Sequence, residues 1–306
     1  MDMPYRENPH LLASAPVVVG ADGSEGSERA VRWAAETAAR RGRTLLIAHG
    51  LDIAGLRSMT GSHLAMPPSI IEAVRTRGTG IAASAHRLAR EVAPSLQITT
   101  EVSEASPSRL LIHLSKSAHL VALGATGNAG VFAHLGSTLL TVTSHGRGSI
   151  VVVRDTGAEP DVSKHGPVVV GVDGSPVSEA AIAAAFTEAS ERGAELVAAH
   201  SWSDLHFEEF AGEADTGFMG SALETAEDAI LAERLAGWQE KYPDVRVTRK
   251  VYLTGATQRL EYWSKTAQLI VVGSRGRGGF TGLLLGSTSN FLVQHAHCPV
   301  LVAHAA

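Results

Sequence analysis

The stretch Val271-Val272-Gly273-Ser274-Arg275-Gly276-Arg277-Gly278-Gly279-Phe280-Thr281-Gly282-Leu283-Leu284-Leu285-Gly286-Ser287-Thr288-Ser289 decides how the chain folds. The apolar run from Leu269 to Val272 predicts a buried strand, a glycine-rich loop follows, and Gly286-Ser287 opens a helical segment to about Gln294. Strand, glycine loop and helix start together make an anion site. Glycines let backbone N–H groups turn toward a phosphate, and the first turn of a helix adds unpaired donors and a favourable dipole. Ser287 is expected to N-cap the helix and to offer its hydroxyl to the same anion. Arg275 and Arg277 add guanidinium groups suited to phosphate oxygens. The plain alternative is a mobile glycine linker, but linkers are rarely pinned between a buried strand and a capped helix.

Outward from this stretch, the chain says nearly the same thing twice. Pro167-Val-Val-Val-Gly-Val-Asp173-Gly174-Ser175 repeats Pro16-Val-Val-Val-Gly-Ala-Asp22-Gly23-Ser24, about 150 positions apart. Each copy continues with a helix and a strand that ends in Ala-His, at His49 and His200. In the first copy Ala30, Trp33, Ala34, Thr37 and Ala38 share one helical face, with Trp33 expected in the core. Gly42 ends that helix, Gly50 to Pro68 reads as a long loop, and a second helix runs from about Ser69 to Val92. The second copy has a loop from Ser201 to Gly220 and a helix from Ser221 to Tyr242, with Pro176 in the first turn of its opening helix. Ile150 to Arg154 and Pro299 to His304 are the closing strands. A single repeat of this size is a duplicated domain, not a solenoid. The expected domains are 1–155 and 167–306, with a polar linker at 156–166.

Alternating strands and helices predict an α/β fold: in each copy a doubly wound parallel sheet with right-handed crossovers and helices on both faces. In such sheets ligands bind beyond the carboxyl ends of the strands, where the strand order reverses. Asp22 or Asp173 ends the first strand, and Gly124 or Gly273 ends the fourth. If those strands are neighbours, a carboxylate and a phosphate loop face one crevice, which suits a nucleotide.

Composition sets outer limits. A length of 306 residues is a prior for two domains, and no uninterrupted apolar run approaches the ~20 residues of a membrane span. Met1 to Pro9 is polar, without a signal-peptide apolar stretch, so the expectation is a cytoplasmic protein with no membrane association. A net charge of −5 argues against a general nucleic-acid binder, although the first half is mildly positive and the second acidic. The single cysteine, Cys298, cannot form an internal disulfide, and its apolar strand context predicts a buried, inert thiol. Of fourteen histidines, His295, His297 and His304 cluster near the end without nearby cysteine or acidic ligands, so no metal site is expected.

Gly273, two residues, Gly276, nine residues, then Gly286-Ser287 resembles the nucleotide-binding signature of the universal stress protein family, in its ATP-binding branch. It is neither a P-loop, since no Gly-Lys-Ser/Thr ends it, nor a dinucleotide fingerprint, since no acidic residue follows about twenty positions on. With the duplicated Val-Val-Val-Gly-x-Asp-Gly-Ser run, the resemblance is to tandem members of that family and spans all but the first dozen residues and the linker. It implies five-stranded sheets of order 3-2-1-4-5, with the last strands pairing edge to edge, and a homodimer. Carried over by position, Gly171, Val172 and Asp173 border the adenosine, and Ser201 offers backbone to the adenine edge. Gly273, Gly276, Arg277, Gly286, Ser287 and Thr288 hold the phosphates. Gly20, Asp22, Gly124, Gly127, Gly136 and Ser137 are the counterparts in the first copy. That copy departs from the pattern: only eight residues separate Gly127 from Gly136, and Thr126 and Asn128 replace the two arginines. A weaker first site is therefore expected.

The function expected is that of an ATP-binding regulatory protein responding to stress or energy state, its protein partner unknown. The alternative is a slow ATPase or phosphotransferase. Against the enzyme, there is no Walker lysine, no His-Arg-Asp run, and no carboxylate inside either glycine loop to orient a water. Asp22 and Asp173 suit either ribose hydroxyls or Mg²⁺.

Overall fold

Apolar runs of four to six residues, bounded by glycine or polar residues, become buried strands, and the amphipathic segments between them cover the sheets. The computed structural model of the chain describes residues 14–59, 67–125, 137–154, 165–174, 178–201, 217–276 and 285–305. Two units are resolved by their internal packing, Met1–Asp155 and Thr156–Ala306.

The first unit runs β1 (Val17–Gly20), α1 (Glu25–Arg40), β2 (Leu45–Gly50), α2 (Ile53–Met59), α3 (Pro68–Val92), β3 (Ile98–Ser103), α4 (Pro107–Ser115), β4 (Leu120–Gly124), α5 (Ser137–His145) and β5 (Ser149–Val153). Its strands pair in parallel in the order β3-β2-β1-β4-β5. The second runs β6 (Val168–Val172), α6 (Glu179–Arg192), β7 (Leu196–Ser201), α7 (Gly217–Lys241), β8 (Val247–Tyr252), α8 (Ala256–Ser264), β9 (Leu269–Gly273), α9 (Ser287–His295) and β10 (Val300–Ala303). It repeats the order as β8-β7-β6-β9-β10, again parallel. The doubly wound sheet of order 3-2-1-4-5 is thus present in both copies.

The central strands are buried except at their half-buried glycines, as sheets covered on both faces require. A stripe of alanines brings each first helix close to its sheet: Ala30, Ala34 and Ala38 in α1, and Ala181, Ala185 and Ala189 in α6, all fully buried. The bulk beside the stripe differs. Trp33 fills the first unit, whereas Phe186 fills the second and stacks on Trp238 and Tyr242 of α7. The outer strand beyond the second strand of each unit, β3 or β8, carries exposed polar residues. A solvated edge resists unwanted pairing.

Four expectations change. The stretch from Gly50 to Pro68 is not loop alone: Ile53–Met59 forms α2, opened by Asp52, whose carboxylate accepts from the Gly55 N–H at 3.2 Å. Helix α7 begins at Gly217, four residues before the predicted start. Cys298 precedes β10 and does not lie within it, though it is fully buried. Finally, Gly286, not Ser287, is the N-cap of α9, with extended backbone and no side-chain cap. Ser24 does cap α1, its hydroxyl accepting from the Ser27 N–H at 3.1 Å. Pro176 lies outside the described residues.

Candidate functional site

In the second unit β6 pairs with β7 on one side and β9 on the other, so the crossovers leave the two sides of β6 in opposite directions. A crevice opens beyond the carboxyl ends of β6 and β9, the place an open α/β sheet offers a ligand. The cleft here holds about 350 Å³, within the range of small-molecule sites. Gly171, Val172, Asp173, Ser201, Gly273, Gly276, Gly286, Ser287 and Thr288 all line it. Arg277 lies outside the described residues.

Two observations give the cleft its polarity. The Asp173 carboxylate faces the glycine loop: a Cβ added to Gly276 would lie 3.0 Å from Asp173 Oδ2, so a side chain there would press on the acid. On the opposite wall the loop is closed at its neck. The Gly286 N–H donates to the Ser274 carbonyl at 2.8 Å, and the Ser274 N–H donates to Ala303 at 2.8 Å. The neck aims the first turn of α9 at the cleft. The backbone N–H groups of Ser287, Thr288 and Ser289 have no acceptor within their own helix, which is the arrangement that binds anions. The Ser289 hydroxyl fixes this turn from below, donating to the Gly273 carbonyl at 2.6 Å. Arg275 is exposed at the mouth. One end of the cleft is therefore acidic and the other is rich in N–H donors.

A model of the universal stress protein family matches residues 15–154 and again residues 165–304. The chain belongs to the universal stress protein family. It is 40% identical over 294 residues to a universal stress protein of Mycobacterium tuberculosis H37Rv, covering 94% of this chain and 96% of that one. A solved universal stress protein from Archaeoglobus fulgidus shares the fold at a TM-score of 0.64 and 16% identity, over 95% of this chain and 98% of that one. A second solved protein from the same organism, a universal stress protein in complex with dAMP, covers 46% of this chain and 98% of its own at 20% identity and a TM-score of 0.33.

Several residues of this family member were invisible in the glycine pattern. Tyr252 and Arg259 line the cleft from β8 and α8, with the Arg259 guanidinium 5.1 Å from the centre of the Tyr252 ring. Trp263 holds that tyrosine by donating its indole N–H to the phenol oxygen at 2.9 Å. Thr257 and Thr288 join the starts of α8 and α9, their hydroxyls 3.2 Å apart. No short motif signals Tyr252, Arg259, Trp263 or Thr257, because they come from the third strand and its crossover. Other glycines have a packing reason. A Cβ on Gly171 would come within 2.8 Å of Leu260, and one on Gly20 within 2.9 Å of Leu123 and 3.0 Å of Leu111.

In the first unit, Gly20, Asp22 and Gly124 lie at the corresponding strand ends, and Ser137 opens α5. Gly127 and Gly136 lie outside the described residues, as do Thr126 and Asn128. Gly124 faces backbone: a Cβ there would sit 2.4 Å from the carbonyl of Gly26 in α1. Asp22 is turned partly inward, its Oδ1 accepting from the Ser24 N–H at 2.9 Å. No described helix is long and apolar enough to cross a membrane, and no three described His, Cys, Asp or Glu residues gather as a metal site.

Proposed function

We infer that this universal stress protein is an ATP-binding regulatory protein whose principal site is the cleft of the second unit. The observation that carries this is the facing of the Asp173 carboxylate and Gly276 across a cleft whose far wall is the first turn of α9. Ribose hydroxyls donate to Asp173, and the phosphates take the N–H groups of Gly276, Ser287 and Thr288, with Arg275 and Arg277 adding charge. Gly171, Val172 and Ser201 border the base. Mg²⁺ enters only as the companion of the phosphates, with no protein ligand assigned to it.

The first unit, through Gly20, Asp22, Gly124, Gly127, Gly136 and Ser137, holds the same nucleotide more weakly, because it lacks both arginines and its loop is one residue shorter. Each unit serves as one domain, 1–155 and 167–306, around the 156–166 linker, in a cytoplasmic homodimer. Occupancy, and not turnover, is the proposed output: the sequence carries no Walker lysine and no His-Arg-Asp run, and Asp173 is assigned to the ribose.

The test is to extract and quantify nucleotide from the purified protein, then titrate ATP by calorimetry into the parent and Arg275→Ala. Bound adenine nucleotide and a drop of about tenfold in the tighter affinity support the proposal, since one charge-assisted hydrogen bond is worth ~1.5–3 kcal/mol before solvent weakens it. Absence of ATP binding at millimolar concentration, or turnover of ~1 s⁻¹ or more with Mg²⁺, overturns it.

A further inference from the structure

His200 is the fifth residue of β7 and only 2% exposed. Both of its ring nitrogens face acceptors. Nδ1 lies 2.7 Å from the Val172 carbonyl oxygen, and Nε2 lies 3.0 Å from Oε2 of Glu227 on α7. A carbonyl oxygen only accepts, so Nδ1 carries a proton and donates it. In a neutral ring Nε2 would then present a lone pair to a carboxylate oxygen, and the two would repel. The 3.0 Å approach therefore requires one more proton between them. Val172, His200 and Glu227 thus form one hydrogen-bonded chain at the floor of the cleft. The other charged groups nearby are otherwise placed: Asp173, Arg259 and Arg275 line the cleft, and Asp228 is held by Arg249.

The first unit keeps the histidine and omits the acid. His49, also fifth in its strand, donates from Nδ1 to the Ala21 carbonyl at 2.7 Å. Helices α3 and α7 have 25 residues each, and the eleventh is Gly78 in one and Glu227 in the other. A Cβ on Gly78 would lie 2.9 Å from Cδ2 and 3.2 Å from Nε2 of His49. Helix backbone packs on the imidazole where α7 sends a carboxylate to it.

We propose that Glu227 is a positioning residue for the second cleft: by its hydrogen bond at Nε2 it fixes the His200 ring, whose Nδ1 clamps the turn that presents Asp173 to the ligand. The ring lies along that turn, with Nδ1 on Val172 and Cε1 3.6 Å from where a Gly174 Cβ would sit. This rests on the second cleft being the nucleotide site, but the clamp itself can be read without ligand.

The experiment combines ¹⁵N NMR of the histidine rings, amide exchange and ATP calorimetry on the full chain, Glu227→Gln and Glu227→Ala. In the ligand-free parent both ring nitrogens of His200 should report a hydrogen bond, and Nδ1 of His49 should report one. Glu227→Gln can still donate to Nε2, so the turn stays protected and ATP affinity stays within about threefold of the parent. Glu227→Ala loses the bond at Nε2, with faster exchange at Val172–Gly174 and about tenfold weaker binding in the tighter event. A His200 Nε2 without a hydrogen bond in the parent overturns the clamp, as does Glu227→Ala with unchanged exchange and affinity. If Glu227→Ala does not fold, Glu227→Gln decides: faster exchange at Val172–Gly174 in that variant sinks the proposal. If the parent binds no ATP, the nucleotide reading fails, and the ring hydrogen bonds with amide exchange still decide whether the clamp exists.

Discussion

At the end of its second strand the first unit has Gly50, and the second unit has Ser201. Nothing larger than glycine fits at position 50: a Cβ there would lie 2.6 Å from the Pro107 nitrogen and 2.9 Å from the Ala105 carbonyl oxygen. The chain beyond it is stitched to the turn after β3, with Leu51 N–H donating to Ser103 at 2.8 Å and Asp52 N–H to Ala105 at 3.1 Å. At the same place in the second unit, Ser201 has a buried side chain, and Tyr252 and Arg259 line an open cleft. The sheets are alike and the floors beside them are not. Duplication preserves what the core needs, namely strand order and the alanine stripe, while the strand ends diverge because little of the core rests on them.

The comparison can be broken first at its packing. Phe186→Ala removes a fully buried ring that stacks on Trp238 and Tyr242, where the first unit has Ala35. We expect a loss of about 3–5 kcal/mol confined to the second unit, read as lower hydrogen-exchange protection in β6 and β7 with β1 and β2 unchanged. Equal loss in both units would mean that they do not unfold separately.

Next comes the cleft. Gly276→Val drives a branched side chain against Asp173 Oδ2. Overpacking of this kind costs about 1–3 kcal/mol, so the tighter ATP affinity should fall roughly ten- to a hundredfold while the weaker event persists. Loss of the weaker event instead would reverse the ranking of the two sites.

A third difference is chemical. Burial pushes the Cys298 thiol up to about 12, while the matching position in the first unit is Gly148. In the unfolded chain a thiol ionises near 8.5, so raising the pH above that value stabilises the unfolded state first. Stability from this group is complete below about pH 8.5 and is lost at about 1.4 kcal/mol per pH unit as pH climbs toward the folded value. Chemical denaturation from pH 8 to 10 should show this slope in the parent, and Cys298→Ala should remove it. Identical slopes in the two proteins would refute the burial argument.

The smallest effect lies on the surface. Arg249 grips both oxygens of Asp228 at 2.9 and 3.0 Å, tying β8 to α7, where the first unit has Thr100 and Thr79. That pair holds the Asp228 carboxyl below its usual range, so its contribution is present above about pH 4 and fades as pH falls through the lowered value. Because both partners are more than a third exposed, Asp228→Ala should change stability at neutral pH by less than ~1 kcal/mol in urea unfolding.

Much of this molecule was legible from residue order alone. Runs such as Val17–Val19, Val168–Val170 and Leu269–Val272 are too short for helices and too apolar for loops, and alternation with amphipathic segments leaves a parallel sheet as the way to bury them. The repeated Asp-Gly-Ser turn and the late glycine loop pointed to one crevice because strand ends and helix starts carry local signals, in the form of caps, glycines and charge. What lay beyond the sequence depends on contacts between segments far apart in the chain. Arg259 and Tyr252 reach the cleft only because the crossover after β8 runs beside β6. That Gly171, besides lining the cleft, must also make room for Leu260 shows only in the packing, and Glu227 is one acid among many until α7 sets it on His200. Local order determines which segments become strands and helices, since each run must bury its own apolar face. Which side chains share a cleft is decided by tertiary packing, because that distance is set by the strand order and by how closely each helix approaches the sheet.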